Sequence, residues 1–136
     1  MENDRGEILI CERRDVAGAW QFRQGGVDAG ETNYQAIARE LFEEIGLHPE
    51  SYEVQEVRGP YQYEFPGGTQ KRGYDGQRQH YYRVLLTGSD DSITLDTPHP
   101  EFRSLRWIRP ATFDLTWVPQ FKRDVYRQVF ADFYGL

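Results

Sequence analysis

The stretch Gly25–Leu47, GGVDAGETNYQAIARELFEEIGL, gathers glycines, Arg39 and the glutamates Glu31, Glu40, Glu43 and Glu44 in a spacing that ordinary secondary structure does not require. Ile37, Leu41 and Ile45 recur at i, i+4 and i+8, and Tyr34 and Ala38 widen that stripe, so the pattern predicts a helix over Ala36–Ile45. At ~100° per residue, Glu40, Glu43 and Glu44 then share an arc of roughly 100° beside the stripe. Like charges this close cost about a few tenths of a kcal/mol even on an open surface, so a cation belongs between them. Mg²⁺ or Mn²⁺ takes oxygen ligands and keeps waters for a phosphate-bearing substrate, which makes the carboxylates a candidate metal cradle. Arg39, one residue before Glu40, is placed to brace Glu31 or Glu43. Gly25, Gly26 and Gly30 let the backbone turn sharply and approach a ligand, and Glu31 near the helix start is favoured by the macrodipole.

The elements that must hold this cradle follow from the rest of the chain. Asn3-Asp4-Arg5-Gly6 is a turn signature, and Glu7–Arg13 reads as a strand with an apolar centre. A hairpin turn normally has a strand before it, so Ile8–Cys11 is expected to lack a partner on one edge unless a further segment fills it. Trp20–Phe22 reads as a short strand with core aromatics. After Gly46 ends the helix, Tyr52–Arg58 and Tyr61–Phe65 alternate as two strands. Pro66–Gln77, with Lys71-Arg72, is a glycine-rich basic loop. Gln79–Leu86 is the strongest strand signal, Ile93–Leu95 a weaker one, and Glu101–Ile108 the last strand. Phe121, Val125, Val129 and Phe133 then mark a C-terminal helix starting after Pro119. Strands, a helix, more strands and a closing helix give an α/β sandwich with a mixed sheet in a single domain spanning 1–136.

The 136 residues are 38% hydrophobic and carry no apolar run long enough for a membrane span, which excludes a membrane-spanning class by helix. Cys11 is the sole cysteine, reads as a small buried hydrophobe and suits a reducing cytoplasm. The net charge of −6 is uneven: residues 1–69 carry 6 Lys+Arg against 14 Asp+Glu, residues 70–136 carry 10 against 8. That balance argues against broad binding along a nucleic-acid backbone and leaves a polyphosphate or an RNA end open as substrate. His48, His80 and His99 are scattered and read as neither ligands nor bases.

The spacing Gly25, five residues, Glu31, seven residues, Arg39-Glu40-Leu41, one residue, Glu43-Glu44, one residue, Gly46-Leu47 matches every fixed position of the Nudix hydrolase signature. Through WQFRQGGVDAGE, GQRQHYYRVLL, HPEFRSLRW and QFKRDVYRQVF the chain further resembles one branch of that family, the bacterial RNA pyrophosphohydrolases and plant-type dinucleoside tetraphosphate hydrolases. It departs from the branch at Arg23, where proline is usual, and in lacking a strand ahead of the Asn3–Gly6 turn.

The resemblance implies a Nudix α/β/α sandwich that hydrolyses a nucleoside diphosphate linked to another group, with water attacking phosphorus and Mg²⁺ or Mn²⁺ neutralising the bridging oxygens. Glu40, Glu43 and Glu44 are the implied metal ligands, joined by Glu101 from the HPEF motif. Glu40 also orients or deprotonates the water, and Glu31 and Arg39 brace the set. Arg13, Arg14 and Lys122 are expected to face phosphates and Tyr63 and Phe121 a base, since stacking suits a substrate whose ends vary. Gln24, Gly25, Gly26, Gln77 and Gln79 complete the expected substrate contacts. The leading expectation is removal of pyrophosphate from the 5′ end of triphosphorylated or diphosphorylated RNA. Asymmetric cleavage of diadenosine tetraphosphate is the alternative within the enzyme class, and a non-catalytic binding module the alternative outside it.

Overall fold

The computed structural model describes residues 1–22, 30–66, 76–97 and 100–136, with Gln77 by its backbone alone. The run ILIC forms β1 (Ile8–Arg13), and its near-continuous apolarity is explained by burial on both faces. Leu9 and Cys11 pack with Leu41, Ile45, Leu86 and Phe102 on one side, while Ile8 and Ile10 pack with Trp20, Val118, Tyr126 and Phe130 on the other. The first set belongs to the layer of α1 (Asn33–Ile45) and the second to that of α2 (Gln120–Tyr134). Between them lie antiparallel β2-β1-β5, with β2 at Trp20–Gln21 and β5 at Phe102–Ile108, and the antiparallel pair β3 (Tyr52–Glu64) and β4 (Gly76–Leu86). A single residue, Glu2, bridges Ile8 antiparallel and Leu85 parallel, joining the two ladders into one mixed α/β/α sandwich. No helix among the described residues is long and apolar enough to cross a membrane.

Several expected boundaries shift, each for a local reason. The helix begins at Asn33 rather than Ala36 because Thr32 caps it: Thr32 Oγ1 accepts the Gln35 N–H at 3.1 Å and Gln35 Oε1 accepts the Thr32 N–H at 2.9 Å. At its other end Gly46 adopts φ 66°, where a Cβ would lie 2.6 Å from Thr94 Cγ2. Tyr34 leaves the expected stripe: it is 61% exposed and packs edge-on against Tyr82. Leu41 and Ile45 are buried at 5% and 1% exposure, each worth ~1.5–3 kcal/mol, and it is these that seat the helix on the sheet.

Tyr52–Arg58 and Tyr61–Phe65 are one long β3 rather than two strands, because Gly59-Pro60 shifts the register against β4 without ending the pairing. Ile93–Leu95 is not a strand. It follows the short helical turn Asp90–Ser92, and its Thr94 N–H donates to the Ile45 carbonyl at 2.9 Å, so Ile93 and Leu95 pack on the core from an irregular segment. The edge of Ile8–Cys11 expected to lack a partner is shared: the Leu9 N–H donates to the Met1 carbonyl at 2.9 Å, Glu2 bridges Ile8, and Gln21 and Trp20 pair with Cys11 and Glu12. Trp20 and Phe22 are core aromatics as expected, Phe22 stacking on Tyr126 at 4.7 Å, and Cys11 is buried.

Glu12, buried at 8% exposure, ties β1 to β5 and to the loop after it. Arg103 donates from Nε and Nη2 to its two oxygens at 2.9 and 3.1 Å, and the Gly18 N–H donates at 2.8 Å. The Arg103 guanidinium, then the Gly18 N–H, hold the Glu12 carboxyl down to about 2 from an ordinary 4.5. A depressed carboxyl stabilises the fold fully above pH 4.5 and loses that contribution as pH falls towards about 2. Glu12→Gln therefore lowers Tm at neutral pH, and the gap to the wild type closes as pH drops through that window. Thermal melts across the series check it; a gap that stays constant rules the linkage out.

Candidate active site

The side chains of α1 form the charged centre that its sequence promised, organised by Arg39. The guanidinium donates from Nε and Nη2 to Glu31 Oε2 and Oε1 at 2.8 and 3.0 Å, a bidentate fork that ties the segment before the helix to its middle turn. Its Nη1 donates to Glu40 Oε1 at 2.9 Å and to Glu43 Oε2 at 3.4 Å. Arg39 thus braces Glu31 and Glu43, the two partners expected, and Glu40 as well. A planar guanidinium with five donors can do this; a lysine could not hold the same fork.

The carboxylate arc runs from interior to solvent. Glu44 is buried at 5% exposure among the apolar residues of α1, the Glu40 side chain is 12% exposed, and that of Glu43 is 56% exposed. Among the described residues no three His, Cys, Asp or Glu side chains converge on one point, because Glu40 and Glu43 lean to Arg39. The expectation of three carboxylates crowding one space is corrected to that extent. Their oxygen donors suit Mg²⁺ or Mn²⁺ in chemical type, and they lie on consecutive turns of one capped helix. Glu40, Glu43 and Glu44 are therefore the residues of α1 that could hold one.

Glu101 stands exposed immediately before β5, and its carbonyl accepts the Arg14 N–H at 3.0 Å. Its neighbour Phe102 packs with Leu41 and Ile45, so the start of β5 abuts α1, although Glu101 joins no cluster with the helix carboxylates. Arg14 is exposed, while Arg13 is turned to Asp15, donating from Nε at 2.9 Å.

A second group forms at the far end of β3. Tyr63 is buried at 6% exposure under Phe65 and Phe121, with ring centroids 6.1 and 5.6 Å away. Lys122 Nζ lies 5.7 Å from the Tyr63 ring centre and 5.9 Å from that of Phe121. Tyr63, Phe121 and Lys122 are thus brought together, and burial pushes the Tyr63 hydroxyl up. Because Tyr63 is covered, the rings partly open to a base are those of Phe121 and Phe65. Phe65 was missing from the expected substrate contacts, although its alternation with Tyr61 and Tyr63 placed it on the same face. Gln79 accepts the Tyr81 hydroxyl at 3.2 Å, Gln77 is placed by its backbone in β4, and Gln24, Gly25, Gly26 and His99 lie outside the described residues, as does Arg23.

With this geometry in hand, comparison with known proteins gives concordant results. The NUDIX domain family model matches residues 1–129. The RNA pyrophosphohydrolase of Helicobacter pylori is 45% identical over 129 residues, covering 93% of this chain and 81% of that protein. The RNA pyrophosphohydrolase of Rhodospirillum rubrum is 40% identical, covering 98% and 82%. Among solved structures, the E. coli dihydroneopterin triphosphate pyrophosphohydrolase superposes with a TM-score of 0.70 at 21% identity over 96% of this chain and 86% of that one. A C. elegans Ap4A hydrolase binary complex does so at 0.65 and 20% over 96% and 88%. At these identities the two structures establish the fold.

Proposed function

The chain belongs to the Nudix family and is a hydrolase of phosphoric anhydride bonds, and from that premise we propose that it removes pyrophosphate from the 5′ end of triphosphorylated or diphosphorylated RNA. The observation that carries the reading is the Arg39-braced set of glutamates on α1, in a chain whose relatives named RNA pyrophosphohydrolase match it along most of its length. A divalent cation, when bound, neutralises charge on the bridging oxygens and lowers the pKa of an attacking water. Glu40, Glu43 and Glu44 would hold that cation, with Glu101 as a further oxygen donor from the start of β5. Glu40 also orients the water and takes its proton, and Glu31 with Arg39 keeps the helix carboxylates in register.

On the substrate side Arg13, Arg14 and Lys122 face phosphates. Tyr63 supports Phe121, whose ring stacks on a base, and Gln24, Gly25, Gly26, Gln77 and Gln79 line the path between. Stacking tolerates any base, which suits an enzyme that acts on RNA ends of varied sequence. One domain spanning 1–136, working in the reducing cytoplasm, is consistent with the single buried cysteine.

The test is a parallel assay of 5′-triphosphate RNA, diadenosine tetraphosphate and free nucleoside triphosphates with Mg²⁺, ranked by kcat/KM. RNA ends are expected to rank first, and chelation by EDTA to abolish turnover, with Mg²⁺ or Mn²⁺ restoring it. Diadenosine tetraphosphate ranking above RNA would transfer the assignment to asymmetric dinucleoside polyphosphate cleavage. Full turnover in EDTA would remove the metal from the reading.

A further inference from the structure

The side chains proposed to meet the substrate's base and phosphates sit on the first turn of α2, and α2 rests on β3. Phe121, Val125, Val129 and Phe133 recur at helical spacing, and Val125 and Val129 are buried against Tyr61, Tyr63 and Tyr81 of the sheet. Apolar burial is non-directional, so the axial setting of the helix depends more on contacts that have direction.

Two such contacts hold the last turn of α2. The hydroxyl of Tyr61, a buried residue, donates to Asp132 Oδ2 at 2.6 Å, the short distance of a bond to a charged acceptor. The Arg58 guanidinium lies 5.8 Å from the ring centre of Phe133. Arg58 and Tyr61 are three positions apart and would face opposite sides of a regular strand. The register shift between them pairs Arg58 with Tyr81 and Tyr61 with Gln79, which brings both side chains to the α2 face. Gly59 allows the shift: its φ is 132°, and a Cβ there would lie 3.0 Å from the Gln79 carbonyl oxygen.

The other end of α2 carries the substrate contacts. Tyr63, on the same face of β3 as Tyr61, has its ring 5.6 Å from that of Phe121, and Lys122 Nζ lies 5.7 Å from it. Asp132 and Phe121 are separated by about three turns, or ~16 Å of helix. A slide or rotation at the last turn is therefore carried along a rigid element to Phe121 and Lys122. On the substrate role given to those two residues above, we propose that Tyr61 and Asp132 are positioning residues, whose hydrogen bond sets α2 on β3 and so holds Phe121 and Lys122 where they meet the base and the phosphates. The glutamates of α1 have their own brace in Arg39, so loosening α2 leaves the chemical centre in place.

The experiment measures kcat, KM and Tm on 5′-triphosphate RNA with Mg²⁺ for three single variants. Tyr61→Phe deletes the hydroxyl and keeps the buried ring, Asp132→Ala deletes the acceptor at an exposed position, and Phe121→Ala removes the stacking ring. The first two are each expected to raise KM about 5- to 10-fold with kcat within about 2-fold of wild type, the effect of losing a hydrogen bond to a charged group. Combining them should be no worse than either alone, because both break one contact. Phe121→Ala is expected to raise KM at least as much. A lower Tm with wild-type KM in either Tyr61→Phe or Asp132→Ala would overturn the proposal by making the bond a fold contact only. Additive losses in the double variant, or a fall in kcat at constant KM, would overturn it too. Phe121→Ala separates the two levels. If it raises KM while the other two do not, positioning alone fails; if it also keeps wild-type KM, the substrate role of Phe121 fails and the proposal falls with it.

Discussion

Replacing Glu40 by Gln is expected to lower kcat by roughly 10²–10⁴, and Glu44→Gln to do the same, with the fold intact in both. The two substitutions are close to isosteric and remove one charge each, but their surroundings differ. At position 40 the amide oxygen still accepts from Arg39 Nη1, so the brace survives while the charge available to a cation and a water proton is lost. At position 44 the side chain is buried, and replacing a buried carboxylate by a neutral amide relieves desolvation. Its Tm is therefore expected to hold or rise while turnover collapses, a split that a purely structural glutamate does not give. Titrating Mg²⁺ against kcat separates a lost ligand from a lost base, because a weakened metal site recovers part of its rate at high Mg²⁺. Near-wild-type turnover of either variant at saturating Mg²⁺ would remove that residue from the chemistry.

How far such a site can be read from sequence depends on how local its causes are. The helix carrying it was legible because Ile37, Leu41 and Ile45 repeat at its period, and its true start was legible in Thr32 and Gln35, a capping pair whose spacing the periodicity reading passed over. The α/β layering was expected from the order of strands and helices and the α/β/α sandwich from the Nudix resemblance, and the consecutive apolar residues of ILIC fit a strand buried on both faces. Tyr34 was misjudged because helix angle alone cannot say which flank of a stripe the sheet covers. The partition of Glu40, Glu43 and Glu44 from interior to solvent has the same origin. Ile93–Leu95 looked like a strand because its side chains do reach the core, but its backbone is claimed by the end of α1 through Thr94. The β1 edge is shared by segments close in sequence, Met1 and Glu2 across the Asn3–Gly6 turn and Trp20 and Gln21 after the next loop, whereas the Glu2–Leu85 bridge that joins the two ladders links distant segments, which no local pattern encodes. Glu12–Arg103, separated by 91 positions, is of that kind too.

The Arg39 brace carries the second large expectation. Arg39→Lys keeps the charge beside Glu40 and Glu43 but cannot reproduce the two-point fork on Glu31, so the segment before α1 loses its tie to the helix. Displacing reacting groups by about 1 Å can cost on the order of 10² in rate, and a fall in kcat of about that size is expected, with a smaller change in Tm. If the fork to Glu31 is the cause, Glu31→Gln, which weakens the same contact from its other end, should lower kcat to a similar degree. The double variant should then be little worse than either single one, because both break one coupling. Additive losses would mean that Glu31 and Arg39 act separately, and would point to Arg39 acting on the substrate's charge directly. An unchanged kcat in Arg39→Lys would show that the positive charge suffices and that the fork is a structural convenience. The comparison is decisive in this protein because Glu31 and Glu40 engage different nitrogens of the same guanidinium.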